Sequence, residues 1–265
     1  MYFSYDADSK TVSLLDEGTN LLLEEYADLA SLCEKLQVSV TVDSSVNTLM
    51  VSKTGNNCRI VCREAAHYFR ELNYLLHHSR EDFERQETPF FEKNGFMLDC
   101  SRNAVSTPET VKKLIRILAK AGMNQLLLYT EDTYEVPGLP YFGTYRGRYS
   151  QEELRQLDAY AQNFGIELVP CIQTLAHLRN ALKWPMGQDL KDNADILMVG
   201  SEKVYAFLEQ LLCSLKDCFS SRNIHIGMDE ALMLGLGNYL RENGYRESSL
   251  LIREHSQREI GRASC

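Results

Sequence analysis

Apolar positions divide the chain into two textures. Over residues 20–36, Leu22, Tyr26, Leu29, Leu32, Cys33 and Leu36 recur at helical spacing, which predicts an amphipathic helix. Two β-like runs follow at 38–42 and 48–52, and a turn through Thr54, Gly55, Asn56 and Asn57 leads into a third at 58–62. Residues 64–78 read as a second helix. Together these elements predict a small α+β domain over 1–90 without any constellation that suggests chemistry. The charged stretch 81–92, which carries Pro89, reads as a linker.

From Asn94 onward strands and helices alternate. Residues 96–100 form a short apolar strand. Thr107, Pro108 and Glu109 supply an N-cap, a first-turn proline and an acid for a helix that Gly122 stops. A second strand at 125–129 leads to a loop rich in Gly, Pro and Tyr, then to a capping box, Ser150 to Glu153, and a helix ended by Gly165. A third strand at 166–172, a helix from Ser201 to about Cys218, a fourth strand at 224–228 and helical stretches at 231–242 and 248–260 complete the pattern.

Such alternation predicts an α/β fold with a parallel sheet and helices packed outside it. An open doubly wound sheet and a (β/α)8 barrel both fit. No G-x-G-x-x-G opens the first turn, so a dinucleotide site has no support. Polar residues instead follow each strand: Asp99 and Arg102, Glu131 and Asp132, Gln173 and His177, Asp229 and Glu230. Barrels gather their active sites at that end, which favours the barrel. Eight βα units need about 250 residues, and residues 91–265 hold about four. The expectation is the N-terminal half of a (β/α)8 barrel, truncated after its fourth unit and open at two strand edges through which it could self-associate.

Composition narrows the function. Lys+Arg 28 against Asp+Glu 37 gives a net charge of −9, which argues against a nucleic-acid partner. No apolar run is long enough for a membrane span, and the first residues show no secretory leader. The expected location is cytoplasmic. The eight cysteines then read as free thiols, mostly buried in apolar stretches such as those around Cys171 and Cys213. No C-x-x-C, H-x-H or H-E-x-x-H suggests a metal, and no cofactor is expected.

The sharpest signal is His225-Ile-Gly-Met-Asp229-Glu230 at the end of the fourth strand. An acidic pair opening a helix also stabilises its dipole, but the strand-end position and the polar clusters after the other strands point to a site. The pattern His-x-Gly-x-Asp-Glu resembles the signature of the family 20 glycoside hydrolases, the β-N-acetylhexosaminidases. Asp99-x-x-Arg102 is similar to that family's sugar-gripping arginine motif. Residues 127–132, Tyr141-Phe142-Gly143 and Arg146-Gly147-Arg148-Tyr149 resemble its intracellular, single-sugar-releasing branch, as does Pro170-Cys-Ile-Gln173-Thr-Leu-Ala-His177. The resemblance runs over about residues 1–245, the small N-terminal domain included.

It implies substrate-assisted retaining hydrolysis of a terminal N-acetylhexosamine, in which the 2-acetamido oxygen attacks the anomeric carbon. Glu230 would be the general acid and then the base, its pKa raised by Asp229 and by desolvation. Asp229 would accept the acetamido N–H. Both can enter one pocket only if strand regularity breaks there. Arg102 would grip ring hydroxyls, His177 and His225 would orient the acid pair, and Asp99, Glu131, Asp132 and Gln173 would line the substrate site. Trp184 and tyrosines 129, 134, 141, 145 and 149 are candidate stacking surfaces. With four strands missing, the expected activity is low. The alternative is a non-catalytic sugar-binding or remnant fragment.

Overall fold

Alternating side chains build the first sheet of this computed structural model, which describes residues 1–26, 33–102 and 104–263. Its strands are β1 (Tyr2–Asp6), β2 (Gln37–Val42), β3 (Leu49–Thr54), β4 (Asn57–Cys62) and β5 (Phe83–Glu87), in the order β1-β2-β4-β3-β5. β1, β2 and β4 run parallel, and β3 runs antiparallel to β4 and β5. Among the described residues two α-helices belong to this region: α1 (Ser9–Leu23), and α2 (Ala65–His77), which packs on β3 and β4. Val38, Val40, Val51 and Ile60 bury their side chains with Leu15, Leu22, Phe69 and Leu72 from the helices.

Two expectations for this region need correction, and one strand was not expected at all. The helix placed at 20–36 instead runs from Ser9 to Leu23, with Asp8 accepting at its N-terminus from the amides of Lys10 and Thr11. Gly18 hid it, because a mid-helix glycine reads as a breaker. Here a Cβ on Gly18 would overlap the Asn163 carbonyl and the Phe69 ring, so the glycine permits close packing. Leu29 and Leu32 lie outside the described residues, while Cys33 and Leu36 are buried outside any helix. The segment read as a linker contains β5, and the first residues form β1. Both are edge strands, and the polar composition of β5 masks its pairing.

The second sheet follows the predicted alternation. Its strands are β6 (Gly95–Asp99), β7 (Gln125–Thr130), β8 (Glu167–Gln173) and β9 (His225–Gly227), in that order, with β8 and β9 parallel. α3 (Pro108–Ala121) follows β6. It starts on the Thr107 hydroxyl and ends at Gly122, whose φ of 75° is left-handed. α4 (Gln151–Gln162) follows β7, its capping box closed by Ser150 N–H to Glu153 at 2.8 Å and Glu153 N–H to Ser150 Oγ at 3.2 Å. After β8 come the single turn α5 (Arg179–Leu182) and α6 (Glu202–Lys216).

Beyond β9 the expected helix over 231–242 is replaced by turns and a short α7 (Asn238–Asn243), followed by α8 (Ser248–Ala263). Asp192 explains the turns. Its buried carboxylate accepts from the backbone N–H of Gly235 (2.7 Å), Gly237 (3.2 Å) and Tyr239 (2.8 Å), which outcompetes helix hydrogen bonds at that point. Leu175, Ala176, Ile196, Val199, Leu234, Tyr239 and Leu251 close a core around this loop.

Contacts divide the chain into two compact units that interleave in sequence. The first holds Met1–Phe96, Thr107–Leu126 and Leu157–Leu168, and the second Met97–Ser106, Leu127–Gln156 and Val169–Cys265. No described helix is long and apolar enough to cross a membrane. Of the cysteines read as buried, Cys213 is exposed, because it falls on the outer face of α6.

Candidate active site

Every candidate site residue belongs to the second unit. At the end of β6, Asp99 Oδ1 accepts from Ser101 N–H (2.9 Å), Ser101 Oγ–H (2.8 Å) and Arg102 N–H (3.2 Å). This Asx-type turn aims the next side chain. Asp99 Oδ2 then takes the Arg102 guanidinium at 3.1 Å. Burial pushes the Asp99 carboxyl up, but these donors more than offset it and hold it below its ordinary range. Asp99 therefore positions Arg102.

Arg102 reaches on to β7. Its Nη2 donates to Tyr129 OH at 3.3 Å, and its guanidinium stands 5.0 Å from that ring's centroid. Burial raises the Tyr129 hydroxyl to about 12. Two residues further, Glu131 and Asp132 are buried and flank Arg146, whose Nη2 lies 3.4 Å from Glu131 and whose Nε lies 3.0 Å from Asp132. Burial raises both carboxyls and the arginine opposes it. Arg146 joins the site as the counter-charge of these two acids.

β8 contributes Gln173, fully buried at its last position. Its Nε2 donates to Tyr129 OH at 2.9 Å and to Asp229 Oδ1 at 3.0 Å. Asp229 as a carboxylate can only accept, so the amide must present its NH2 group to that partner. Gln173 is thereby sealed from solvent rather than lining the site.

Past β8 the chain turns through His177, a non-glycine residue at φ 57°. Its Nε2 stands 3.2 Å from Asp229 Oδ2 and 3.4 Å from Glu230 Oε2. Shared between two carboxylates, it is aligned as a hydrogen bond to neither. Both acids reach it because regular structure ends at Gly227 and Glu230 adopts φ 54°. This is the break in alternation that two consecutive acids in one pocket require. Such left-handed residues cost about 1–3 kcal/mol each and cluster at functional sites. Burial pushes Asp229 up, but the Gln173 amide, its own backbone N–H and His177 bring it below its ordinary range. Glu230 is 71 % exposed at its side chain, so the desolvation expected for it is absent from this arrangement.

Two expectations fall elsewhere. His225 opens β9 and places Nδ1 3.1 Å from Cys171 Sγ, its register partner on β8, rather than beside the acid pair. Tyr134 and Tyr149 are buried, the latter donating to the Ser106 carbonyl, so neither offers a face to a ligand. Tyr141 stacks on Trp184 with centroids 5.2 Å apart, and Tyr145 is exposed. Sequence reasoning missed the bridging part of Tyr129 and Gln173, which join side chains 44 and 56 positions apart.

The side chains thus form one connected series across four strand ends: Asp99, Arg102, Tyr129, Gln173, Asp229, His177, Glu230. An arginine fork at one end suits paired hydroxyls, and two carboxyls on a shared imidazole at the other suit proton transfer. No group of three or more His, Cys, Asp and Glu side chains placed to hold a metal occurs among the described residues.

Residues 91–254 match the model for glycosyl hydrolase family 20, catalytic domain. A β-hexosaminidase of Vibrio furnissii is 27 % identical over 84 % of the chain and 44 % of its own length. One from Porphyromonas gingivalis is 28 % identical over 56 % of the chain and 22 % of its length. Among solved structures, the family 20 exo-β-N-acetylglucosaminidase of Vibrio harveyi superimposes with a TM-score of 0.77 at 19 % identity, covering 99 % of this chain and 50 % of that one. Flavobacterium johnsoniae chitobiase gives 0.80 at 18 % identity, covering 99 % and 47 %. The chain spans about half the length of these structures, and the likeness shows a TIM-like α/β fold.

Proposed function

The chain belongs to glycosyl hydrolase family 20, and from that premise we propose that its second unit carries a β-N-acetylhexosaminidase site. The substrate is a terminal β-linked N-acetylglucosamine or N-acetylgalactosamine, cleaved with retention by substrate-assisted catalysis. Arg102, aimed by Asp99, takes the hydroxyls far from the cleaved bond. Asp229 accepts the acetamido N–H, which turns the acetamido oxygen toward the anomeric carbon and favours the positive charge that develops there.

Glu230 gives its proton to the leaving glycosidic oxygen as the acetamido oxygen closes an oxazolinium ring. It then takes a proton from the water that opens that ring. His177, within reach of both acids, keeps their carboxyls apart and in register. The observation that carries this reading is the left-handed turn at Glu230, which brings two consecutive acids to one imidazole.

The test is release of aryl alcohol from an aryl N-acetyl-β-glucosaminide by the chain and by Glu230→Gln. An acid at 71 % exposure lacks the water-excluded setting that makes proton transfer efficient, so slow release, abolished by the substitution, is expected. Release equal in both proteins overturns the reading. That same exposure favours a second reading, a sugar-binding module. Saturable binding of the N-acetylglucosamine thiazoline without turnover would support it. We extend the proposal to self-association through the outer strands β6 and β9, where Phe96 and Met97 are exposed. A sedimentation mass of one chain at all concentrations would refute it.

A further inference from the structure

We infer that Gln173 is a positioning residue: through its two N–H bonds it couples the orientation of Asp229 to the Arg102–Tyr129 end of the site. The inference rests on the hexosaminidase reading and assigns Gln173 a part other than touching sugar. A fully buried amide cannot reach a ligand. Both its N–H donors are spent, one on Tyr129 OH (2.9 Å) and one on Asp229 Oδ1 (3.0 Å).

Its carbonyl oxygen has no partner and lies against Gly227, where a Cβ would come within 2.5 Å. A buried amide that leaves its acceptor unmatched in order to place both donors is held by what it donates to, since the orphaned oxygen costs stability. Tyr129 OH also receives Arg102 Nη2. Movement of the guanidinium when a sugar hydroxyl competes for it is therefore felt at Asp229 through three hydrogen bonds. Substrates lacking the right hydroxyl would lose rate as well as affinity, because remote binding is converted into orientation at the reacting end.

Asp229 titrates among named neighbours. Glu230 follows it in the turn, His177 faces it from the loop after β8, Cys171 acts on β8 itself and Tyr129 on β7. Gln173 is the uncharged donor among them and helps keep Asp229 ionised. The decisive measurement is the titration of the Asp229 carboxyl by carbon NMR in the intact chain and in Gln173→Met, which keeps length but carries no N–H. The Asp229 midpoint is expected to rise while that of Asp99, which Gln173 does not touch, stays put.

In turnover of an aryl N-acetyl-β-glucosaminide, the same variant should lose about 10²-fold in kcat with KM little changed. Tyr129→Phe should lose less, because the Asp229 bond survives. Gln173→Asn, too short to span both partners, serves where Gln173→Met does not fold and should give the same rise. An unmoved Asp229 midpoint in a folded variant overturns the inference and leaves Gln173 as a strand-end tie. Failure of the hexosaminidase reading shows differently, as aryl alcohol release equal in the unaltered chain and in Glu230→Gln, and the titration is independent of it.

Discussion

Gly227 and Gln173 occupy each other's space: a Cβ on the glycine would stand 2.5 Å from the amide oxygen and 2.7 Å from Nε2. The glycine between His225 and Asp229 thus leaves room on β9 for an amide from β8 to lie flat and donate forward. Gly227→Ala should force that amide off at least one partner. Overpacking of this kind typically costs about 1–3 kcal/mol. Urea denaturation should show that loss, and the Asp229 midpoint should rise together with it. A stable Gly227→Ala with unaltered Asp229 would show that the amide has slack.

Asp192 anchors the loop that follows the acid pair. Asp192→Ala strands three backbone N–H groups, two of them buried and one part-buried, and each unsatisfied donor costs about 1–3 kcal/mol unless water reaches it. We expect a loss of at least about 2 kcal/mol, with hydrogen exchange accelerated over residues 231–239 before the rest of the second unit. Exchange rising uniformly across that unit would instead make Asp192 a general core residue.

Gly18 tests packing against propensity within the first unit. Alanine should gain up to about 1 kcal/mol as a helix former, yet its methyl would collide with the Asn163 carbonyl and the Phe69 ring. Backbone cannot yield as a flexible side chain can, so overpacking wins and Gly18→Ala should lower the melting temperature. A higher melting temperature would mean that α1 shifts freely.

Glu71 makes the first unit sensitive to pH. Burial, and then its hydrogen bond with Glu87, raises its carboxyl to about 7, against the pull of Arg85, whose Nη1 donates to it at 3.0 Å. Glu87 itself is held below its ordinary range, first by Arg70. A folded-state pKa above the unfolded one gives stability that is full at low pH and is lost as pH rises through about 7. Glu71→Gln keeps the acceptor for Arg85 and cannot ionise. Comparing urea midpoints at about pH 5 and about pH 8, the variant should gain on the unaltered chain at the higher value. An equal difference at both values would contradict this.

Local chemistry made much of the fold legible. The Thr107 cap, Pro108, Gly122 and the Ser150 to Glu153 box fall where their short-range hydrogen bonds require. The apolar runs of β7 and β8 announce themselves through burial of most of their side chains. β5 was hidden because an edge strand carries polar residues by design, and α1 because Gly18 answers to a distant carbonyl. In the site, the acid pair, Arg102 and His177 stood out as strand-end polar residues. The Tyr129–Gln173 bridge, the Arg146 counter-charge and the turning of His225 toward Cys171 depend on neighbours between 14 and 56 positions away, which no local pattern encodes.

The left-handed backbone at His177 and Glu230 has an evolutionary corollary. Elsewhere in a folded chain, replacing a side-chain-bearing residue by glycine carries an entropic penalty of about 0.5–1 kcal/mol. At these two positions the relief of about 1–2 kcal/mol of steric conflict cancels it. Foldability therefore offers the imidazole and the acid no protection. In a lineage where catalysis ceased to matter, glycine at these positions would pass unopposed, and they would be the earliest to erode.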